Sequence, residues 1–395
     1  MSDKPSLVII TSRFPYPLEK GDKLRAFHMI QGLSKRFKIT LISLSDEAIS
    51  TESLKRLEPY VSGLHVFTLK KYKIVWRLMM NLLLLKPFQI AYFTDSAVKK
   101  KVKKILSEVS PSHILCQMIR PAEYVKHYHH CPKTLDYMDA LSMGMERRFQ
   151  TANFPWSFLF RMEKNRLRDY ELRIFNYFEH HTMISLQDTY YIAHPDRQSI
   201  KVIPNGIAPI FNTPIAEIPK TADLVFVGNL SYPPNVHAVK FLHHQILSNS
   251  PQLSLLVGGA NPTKELIRLP KENPNLTLLG WQEDIRSVYQ QGRIFIAPMF
   301  MGSGLQNKLL EAMALGIPCI TTSLANDSLC ARHQKEVLIG NTAAELLAHI
   351  HFLLSHPEEA IALGERGKEF VLANYNWDQS LHALNNLICP QPDRT

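Results

Sequence analysis

The chain has 395 residues, of which 45% are hydrophobic, and it carries a formal net charge of +10 at pH 7. This length exceeds that of one ordinary domain, and the apolar content suffices for two buried cores, so we predict two domains. The five cysteines are odd in number, widely spaced and free of any C-x-x-C pair, which argues against a disulfide framework or a zinc site and favours a reducing compartment.

The apolar segments of the chain are too short for export or membrane insertion. The first run, Leu7-Val8-Ile9-Ile10, is far shorter than the apolar region of a signal peptide. The longest stretch, residues 74–92, is interrupted by Arg77, Lys86 and Pro87, whereas a spanning helix needs about 20 clean residues. We therefore predict a cytoplasmic protein, soluble or peripheral on the inner face of the membrane.

A group of lysines follows this apolar stretch: Lys99, Lys100, Lys101, Lys103 and Lys104. Basic residues beside apolar surface are typical of proteins that bind an anionic membrane surface. They are equally typical of a solvated helix face. The basic residues lack an aromatic-interleaved strand face or a recognised nucleic-acid motif, so we expect no nucleic-acid partner.

Short apolar runs alternate with helix-length segments through the first half of the chain. This alternation predicts an α/β fold with a parallel sheet covered on both faces. A long amphipathic helix is predicted over residues 161–181, just before the last strand of this half. The predicted strands lie at residues 7–10, 39–43, 64–68, 114–117, 134–137 and 182–185.

The pattern restarts after Pro204-Asn205-Gly206, which has the composition of a turn and is followed by Pro209 and Pro214. We place the domain boundary there, giving domains at 1–203 and 204–375 and a C-terminal helical segment at 376–395 that returns towards the first domain. Helices are predicted at 360–372 and 378–387. The second-half strands are predicted at 224–227, 254–257, 276–279, 294–297 and 319–322.

The most informative segment, residues 298–322, reads as strand, glycine loop, helix, turn and strand. Gly302 and Gly304 allow close backbone approach at a helix start, where unpaired N–H groups favour an anion such as a diphosphate. Lys308, about one turn into that helix, would add positive charge. Glu311 shares its face three residues later, and a carboxylate there can accept hydrogen bonds from two vicinal sugar hydroxyls. A solvated helix residue is the alternative reading of Lys308.

This segment resembles the nucleotide-sugar-binding segment of the family 4 retaining glycosyltransferases. The Gly-Leu-Gln-Asn-Lys form of the loop is similar to that of bacterial exopolysaccharide-associated sugar transferases. Nearly the whole chain shares the resemblance, through segments at residues 12–23, 202–207, 226–230, 304–308 and 375–377.

The resemblance implies two Rossmann-like, doubly wound domains facing across a cleft, the GT-B type, with the acceptor on the N-terminal side. It implies a nucleoside-diphosphate sugar as donor, retention at the anomeric carbon, a glycan or lipid-linked acceptor, and no cofactor or metal. Carried onto this sequence, the donor-binding residues are Gly21, Gly228, Asn229, Gly302, Ser303, Gly304, Leu305, Lys308 and Glu311, and the catalytic residues are Asp139 and Lys308.

The sequence departs from the family pattern at two places. Many members carry two glutamates in the loop and helix, and the first would fall at Ser303, so only Glu311 remains, to which the resemblance assigns the ribose. Many members also place an Arg and a Lys after the first strand of the donor domain. Asn229 follows Gly228 here, and Lys308 is the candidate to replace that charge.

In the N-terminal half, Gly21 precedes a helix predicted from about Leu24, where its backbone could approach a phosphate or a sugar. Arg25 and His28 lie one turn apart on that helix and are read as surface or interdomain residues. Asp139 follows a strand end, where ligands bind in open α/β sheets. It occupies roughly the place of a family histidine near the transferred sugar, and could orient a hydroxyl, take the acceptor proton or cap the next helix.

Two other functions fit the same features. A sugar-nucleotide epimerase of this fold would need acid and base carboxylates around the sugar, and Asp139 is the only candidate that the sequence provides. A non-catalytic nucleotide-sugar-binding subunit would explain the missing first glutamate. Histidines at 127, 129 and 130 do not have the spacing of a metal site, and we read them as a solvated loop.

Overall fold

Two parallel β-sheets, one in each of two units of the chain, form the framework of this protein. The computed structural model describes residues 4–18, 20–213, 216, 218–301 and 304–389. The first unit comprises the described residues up to Asn205 together with those from Asp378 onwards, and the second unit is Gly206–Trp377.

The sheet of the first unit has seven strands in the order β3-β2-β1-β4-β5-β6-β7. Every pairing is parallel, as in Leu7 opposite Ile39 on one side of β1 and opposite His113 on the other. The order reverses between β1 and β4, so the carboxyl ends of these two strands flank the crevice where such sheets bind ligands. The strands are β1 (Ser6–Thr11), β2 (Lys38–Ser45), β3 (Gly63–Thr68), β4 (His113–Gln117), β5 (Lys133–Met138), β6 (His180–Met183) and β7 (Lys201–Val202).

Helices cover this sheet, and the strands are correspondingly apolar along their whole length. Leu7, Val8, Ile9 and Ile10 of β1 are all fully buried, as expected for a strand with both faces covered. The helices are α1 (Gly21–Leu33), α2 (Thr51–Leu57), α3 (Lys71–Leu84), α4 (Phe88–Phe93), α5 (Ser96–Val109), α6 (Leu141–Thr151), α7 (Trp156–Phe175) and α8 (Leu186–Thr189).

The second unit repeats the design with a six-stranded sheet in the order β10-β9-β8-β11-β12-β13. Its switch point lies between β8 and β11, whose strands pair in parallel with Ile294 opposite Leu224. The strands are β8 (Ala222–Val227), β9 (Leu255–Gly258), β10 (Leu276–Gly280), β11 (Gly292–Ala297), β12 (Cys319–Thr321) and β13 (Leu338–Ile339). The helices are α9 (Pro233–Phe241), α10 (Lys264–Glu272), α11 (Arg286–Gln291), α12 (Asn307–Ala314), α13 (Ser323–Asn326), α14 (Ala343–Ser355) and α15 (Pro357–Asn374).

A last helix, α16 (Trp377–Ile388), places nearly all of its residues in the first unit. Leu381 packs so closely on α1 that a Cβ atom added at Gly32 would lie 2.2 Å from its Cδ1 atom. Ser380 also donates a hydrogen bond of 2.9 Å to the Pro204 carbonyl. The end of the described chain is therefore a structural part of the first unit.

The two parallel sheets and their alternation with helices are as predicted, but several boundaries were wrong. Helix α7 was predicted at 161–181, yet it ends at Phe175 and a turn leads into β6, which begins at His180 instead of residue 182. His181, the second residue of β6, stacks on the ring of Phe175 at the end of α7, with 3.6 Å between the centroids. Strands β7 and β13 were missed, because two residues carry no detectable alternation.

All five cysteines are free, in line with a chain that has no disulfide framework. None of the described helices combines the length and hydropathy that a membrane span requires.

Candidate functional site

The carboxyl edge of the second sheet brings together the glycine loop and helix α12 that the sequence singled out. Gly304 has a φ of +77°, a left-handed conformation that favours glycine, and Leu305 is half-buried beside it. Gly302 and Ser303 lie outside the described residues. Among the described residues, no side chain caps the start of α12, so its first N–H groups remain suited to an anion.

Lys308 is the second residue of α12, not one turn into it as predicted, because the helix begins only at Asn307. Its ammonium group donates to the Asn235 side-chain oxygen and lies 5.0 Å from the centre of the Phe226 ring. The Met299 sulfur is 3.7 Å away. Burial lowers the pKa of Lys308 to about 7. The reading of Lys308 as a solvated helix residue is therefore wrong.

Glu311 lies on the same face of α12 and is held by the hydroxyl of Tyr289, which donates a hydrogen bond of 2.7 Å to its carboxylate. Burial raises the pKa of Glu311 to about 7, and the Tyr289 hydrogen bond and the charge of Lys308 oppose that shift. Burial also raises the pKa of Tyr289, so its hydroxyl keeps the proton that it donates. Because Tyr289 uses only one acceptor position, the remaining lone pairs of the Glu311 carboxylate can accept further hydrogen bonds.

The loop after β8 packs so closely against Asn235 and Gly259 that two of its contacts leave no room for a side chain. A Cβ atom on Gly228 would lie 2.7 Å from the Asn235 amide nitrogen, and one on Gly259 would lie 1.8 Å from the Gly228 carbonyl oxygen. Gly259 also has a φ of +143°. Asn235 donates 2.8 Å to the carbonyl of Asn229, so a single amide links the β8 loop to Lys308.

The side chain of Asn229 is engaged in hydrogen bonds within its own turn. Its side-chain oxygen accepts hydrogen bonds from both the backbone and the hydroxyl of Ser231, at 3.0 and 2.8 Å. This turn leaves the backbone of Gly228 and Asn229, rather than the amide side chain, as the part of the loop suited to contact a ligand.

At the corresponding edge of the first sheet, Gly21 is exposed and is the first residue of α1, three residues earlier than the predicted start. The next residue, Asp22, accepts a hydrogen bond of 2.8 Å from Arg13. Arg120, which the sequence did not suggest, follows β4 at the same edge. Its guanidinium donates to Gln89, and burial, aided by Arg13, lowers its pKa to about 10.

Arg25 and His28 were predicted as surface or interdomain residues, and the surface alternative is wrong, because α1 turns both of them inward. Arg25 is 1% exposed and forms two hydrogen bonds with Asp136, at 2.7 and 3.0 Å. It also donates to the Ile203 carbonyl and to Asn205. Burial lowers the pKa of His28 to about 4. Arg25 therefore serves the fold of the first unit, and the buried imidazole of His28 is neutral at pH 7.

Asp139 follows β5 but does not cap the next helix. The residue at the capping position of α6 is Ala140, and no described side chain caps that helix. The Asp139 Oδ1 atom is buried and accepts no hydrogen bond from any described residue. Burial, reinforced by the charge of Asp188, raises the pKa of Asp139 to about 7. A carboxyl group with this pKa can exchange a proton at neutral pH.

The structure thus joins Gly228, Asn229, Gly304, Lys308 and Glu311 into one cluster of the second unit. It adds two residues that spacing could not reveal, Asn235 and Tyr289. Gly21 and Asp139 belong to the first unit. Within the described part of the chain, no three His, Cys, Asp or Glu side chains are grouped so as to hold a metal ion.

The part of the second unit that contains this cluster matches the model of a known protein family. Residues 221–356 match the family described as "Glycosyl transferases group 1". A protein of Klebsiella pneumoniae, described as an uncharacterized 44.6 kDa protein in the cps region, is 26% identical over 139 residues. That alignment covers 32% of this chain and only 36% of the relative.

Solved structures share the fold over nearly the whole chain. Sucrose-phosphate synthase from Thermosynechococcus elongatus has a TM-score of 0.73 at 15% identity, with 97% of this chain and 98% of that chain covered. Anabaena HepE in complex with UDP-glucose has a TM-score of 0.70 at 13% identity, with coverage of 98% and 100%. At these identities the likeness establishes the two-domain α/β fold of the GT-B type.

Proposed function

We propose that this protein is a glycosyltransferase that moves a sugar from a nucleoside-diphosphate sugar to an acceptor hydroxyl. The observation that carries the proposal is that Lys308 and Glu311 share one face of α12, next to the glycine loop. Both residues lie within the segment that matches group 1 glycosyl transferases. An epimerase or a binding subunit of the same fold would use the same donor site, so the fate of a labelled donor is what separates the three functions.

In the proposed complex, the diphosphate lies against the start of α12 and the ammonium of Lys308. Helix N-termini favour anions, and a diphosphate beside Lys308 would raise the lysine pKa and keep the side chain charged. Because charge on the departing diphosphate grows during transfer, donors fixed around it stabilise the transition state more than the ground state. We propose that this arrangement replaces a metal ion.

Glu311 would accept hydrogen bonds from two hydroxyls of the nucleotide ribose. Its carboxylate is already oriented by Tyr289 and retains open lone pairs. The UDP-glucose complex of Anabaena HepE makes uridine nucleotides the first donors to try.

The reaction we propose breaks the bond between the anomeric carbon and the diphosphate oxygen, which leaves with the electron pair. The acceptor oxygen forms the new bond on the same face, so that configuration is retained. The acceptor hydroxyl loses its proton as the new bond forms. Asp139, with a pKa of about 7, would take that proton; if Asp139 instead orients a sugar hydroxyl, the departing diphosphate would take it. The Klebsiella relative from a cps region supports a role in exopolysaccharide or other surface-glycan assembly.

The direct test is thermal unfolding of the purified chain with UDP, GDP, ADP and their sugars, in EDTA. A ligand that binds the folded state raises the unfolding temperature, so one nucleotide should give a clear shift. Glu311→Ala should reduce the affinity for that nucleotide at least about tenfold, since two hydrogen bonds to a carboxylate are lost. The exposed Glu369→Ala on α15 is the matched control and should bind as the wild type does.

Labelled donor then separates the candidate functions. Transfer of label to a glycan acceptor supports the proposal, and NMR of the product anomeric proton reports whether configuration is retained. Conversion of the donor into an isomeric nucleotide sugar would mean epimerisation. Nucleotide binding without either reaction, across lipid-linked and free glycan acceptors, would favour a binding subunit, and no shift with any nucleotide would overturn the donor site itself.

A further inference from the structure

Helix α3 presents an apolar face to solvent. Tyr72, Val75, Trp76, Met79 and Met80 follow the i, i+3, i+4, i+7, i+8 spacing of one helix face, and each is between 44% and 66% exposed. Side chains of this size at this spacing normally pack into a core. Together they form a continuous stripe along about two and a half turns, larger than the scattered apolar residues of an ordinary surface.

The opposite face of α3 fixes this orientation. Ile74 and Asn81 are buried against the first unit, and Asn81 donates 2.6 Å to the Lys86 carbonyl. Arg77 pairs at 2.8 Å with Asp95, which caps helix α5. The helix is therefore anchored by its own contacts, and rotation to bury the apolar stripe would break them.

Positive charge borders the stripe. Lys70, Lys71 and Lys73 are exposed at the beginning of α3, whose first turn contains no acidic residue. Lysines at the positive end of a helix dipole are unfavourable for the isolated helix, so an external anion would relieve that cost. Helix α5, whose capping residue Asp95 pairs with Arg77, also carries the exposed lysines 100, 101, 103 and 104.

A second group of exposed aromatic side chains lies near the beginning of α7: Phe154, Trp156 and Phe158, at 86%, 61% and 66% exposure. This helix contacts the segment that follows α3, since the Glu163 carboxylate accepts hydrogen bonds of 2.8 and 3.0 Å from the backbone of Phe88 and Gln89. Trp156 precedes Glu163 by seven residues, about 10 Å along the helix.

We propose that the α3 stripe lies in the interfacial region of an anionic membrane, with Lys70, Lys71 and Lys73 against the lipid headgroups. Tyr and Trp have an apolar body and a polar tip, which suits them to the boundary between acyl chains and water. A protein partner fits less well, because lysine is depleted in protein interfaces whereas it is typical of surfaces that bind anionic lipid.

Vesicle flotation of the full chain tests this surface. The wild type should float with phosphatidylcholine vesicles that contain about one third phosphatidylglycerol and remain unbound with phosphatidylcholine alone. The double variant Trp76→Ser/Met79→Ser, and separately Lys70→Gln/Lys71→Gln/Lys73→Gln, should each bind anionic vesicles at least about tenfold more weakly.

The matched control is Ile361→Ser, which removes an equally exposed apolar side chain (65%) from the second unit and should float as the wild type does. All altered side chains are exposed, so the unfolding temperatures should be unchanged, and the shift produced by nucleotide should persist in every variant. Loss of that shift would concern the proposed donor site and not this surface.

Two results would overturn the proposal: no flotation with anionic vesicles, or flotation that the Trp76→Ser/Met79→Ser variant does not reduce. A dimer in sedimentation that this variant dissociates, without vesicle binding, would assign the stripe to a second copy of the chain.

Discussion

Arg25 beside the first sheet, and Lys308 and Glu311 beside the second, are held in opposite ways. Arg25 in the first unit has a charged partner in Asp136 and further bonds to Asn205 and a carbonyl, so its hydrogen-bonding capacity is largely used within the protein. Lys308 and Glu311 in the second unit are each held by an uncharged partner, Asn235 and Tyr289.

This difference distinguishes structural charge from charge kept for a ligand. A buried ion pair with saturated hydrogen bonds stabilises one arrangement of the chain, and little remains for binding. A lysine and a glutamate whose pKa values are both displaced to about 7 by burial are costly in the free protein, and ligand atoms can offset that cost.

The largest effect on stability should come from Arg25→Met. The change leaves the Asp136 carboxylate buried without its charged partner, which costs about 3–5 kcal/mol of the free energy of unfolding. Denaturant titration measures this loss. Lys308→Met, as the comparison variant, should unfold at or above the wild-type midpoint, since it removes a buried amine. Equal destabilisation of both variants would remove the distinction between the two edges.

Lys308→Met should instead lower kcat/KM for sugar transfer by about 100-fold or more, the usual cost of removing one donor that stabilises a departing anion. Steady-state kinetics with labelled donor measure this effect. The exposed Lys264→Met, in the same unit, should retain wild-type kinetics. A Lys308→Met enzyme with normal kcat/KM would exclude this residue from the reaction.

The Lys308 pKa adds a pH signature. Donor binding needs the charged lysine, so affinity for the intact nucleotide sugar should fall as pH rises above about 7, with proton uptake on binding. Calorimetry in buffers of different ionisation enthalpy detects that proton. In Lys308→Met the alkaline decline should vanish, whereas a decline that persists would have to come from another group.

Asp139 should give a smaller effect that depends on pH. Its pKa is raised to about 7 in the folded protein, whereas an unfolded aspartate titrates near 4. Between these values the folded state binds more protons, so the contribution of Asp139 to stability falls as pH rises and is lost above about pH 7. Asp139→Asn lacks this penalty, and its stability relative to wild type should increase by about 3 kcal/mol from pH 4.5 to pH 8.

Denaturant titrations across this pH range, with the exposed Asp169→Asn as control, measure that increase. Transfer should be impaired in Asp139→Asn while nucleotide still raises the unfolding temperature. Parallel stability curves for wild type and Asp139→Asn would contradict the displaced pKa.

The smallest effect is expected for Tyr289→Phe. Removing the hydroxyl leaves Glu311 in place without its 2.7 Å hydrogen bond, so nucleotide affinity should fall about threefold to tenfold. Titration calorimetry resolves a change of this size. Because Glu311→Ala removes the carboxylate itself, the double variant should bind no more weakly than Glu311→Ala alone, and an additive loss would show that Tyr289 acts elsewhere.

Local patterning was enough to predict the two sheets, apart from the two-residue strands β7 and β13, and the face of α12. Lys308 and Glu311 are three residues apart, and the helical repeat alone places them together. Their hydrogen-bond partners could not be predicted in this way, because Asn235 is 73 residues from Lys308 and Tyr289 is 22 residues from Glu311. Likewise Arg25 was predicted as a surface or interdomain residue, since its partner Asp136 is 111 positions away and only tertiary packing brings them together.

The placement of α16 has a consequence for synthesis. The first unit needs Ser380 and Leu381, which a ribosome adds about 170 residues after Asn205. At about 5–20 residues per second, the α1 surface around Gly32 stays uncovered for roughly 10–30 seconds while the whole second unit emerges. During translation the second unit is therefore the first that can complete its fold, and a nascent chain halted before residue 378 would leave the α1 surface that Leu381 contacts uncovered.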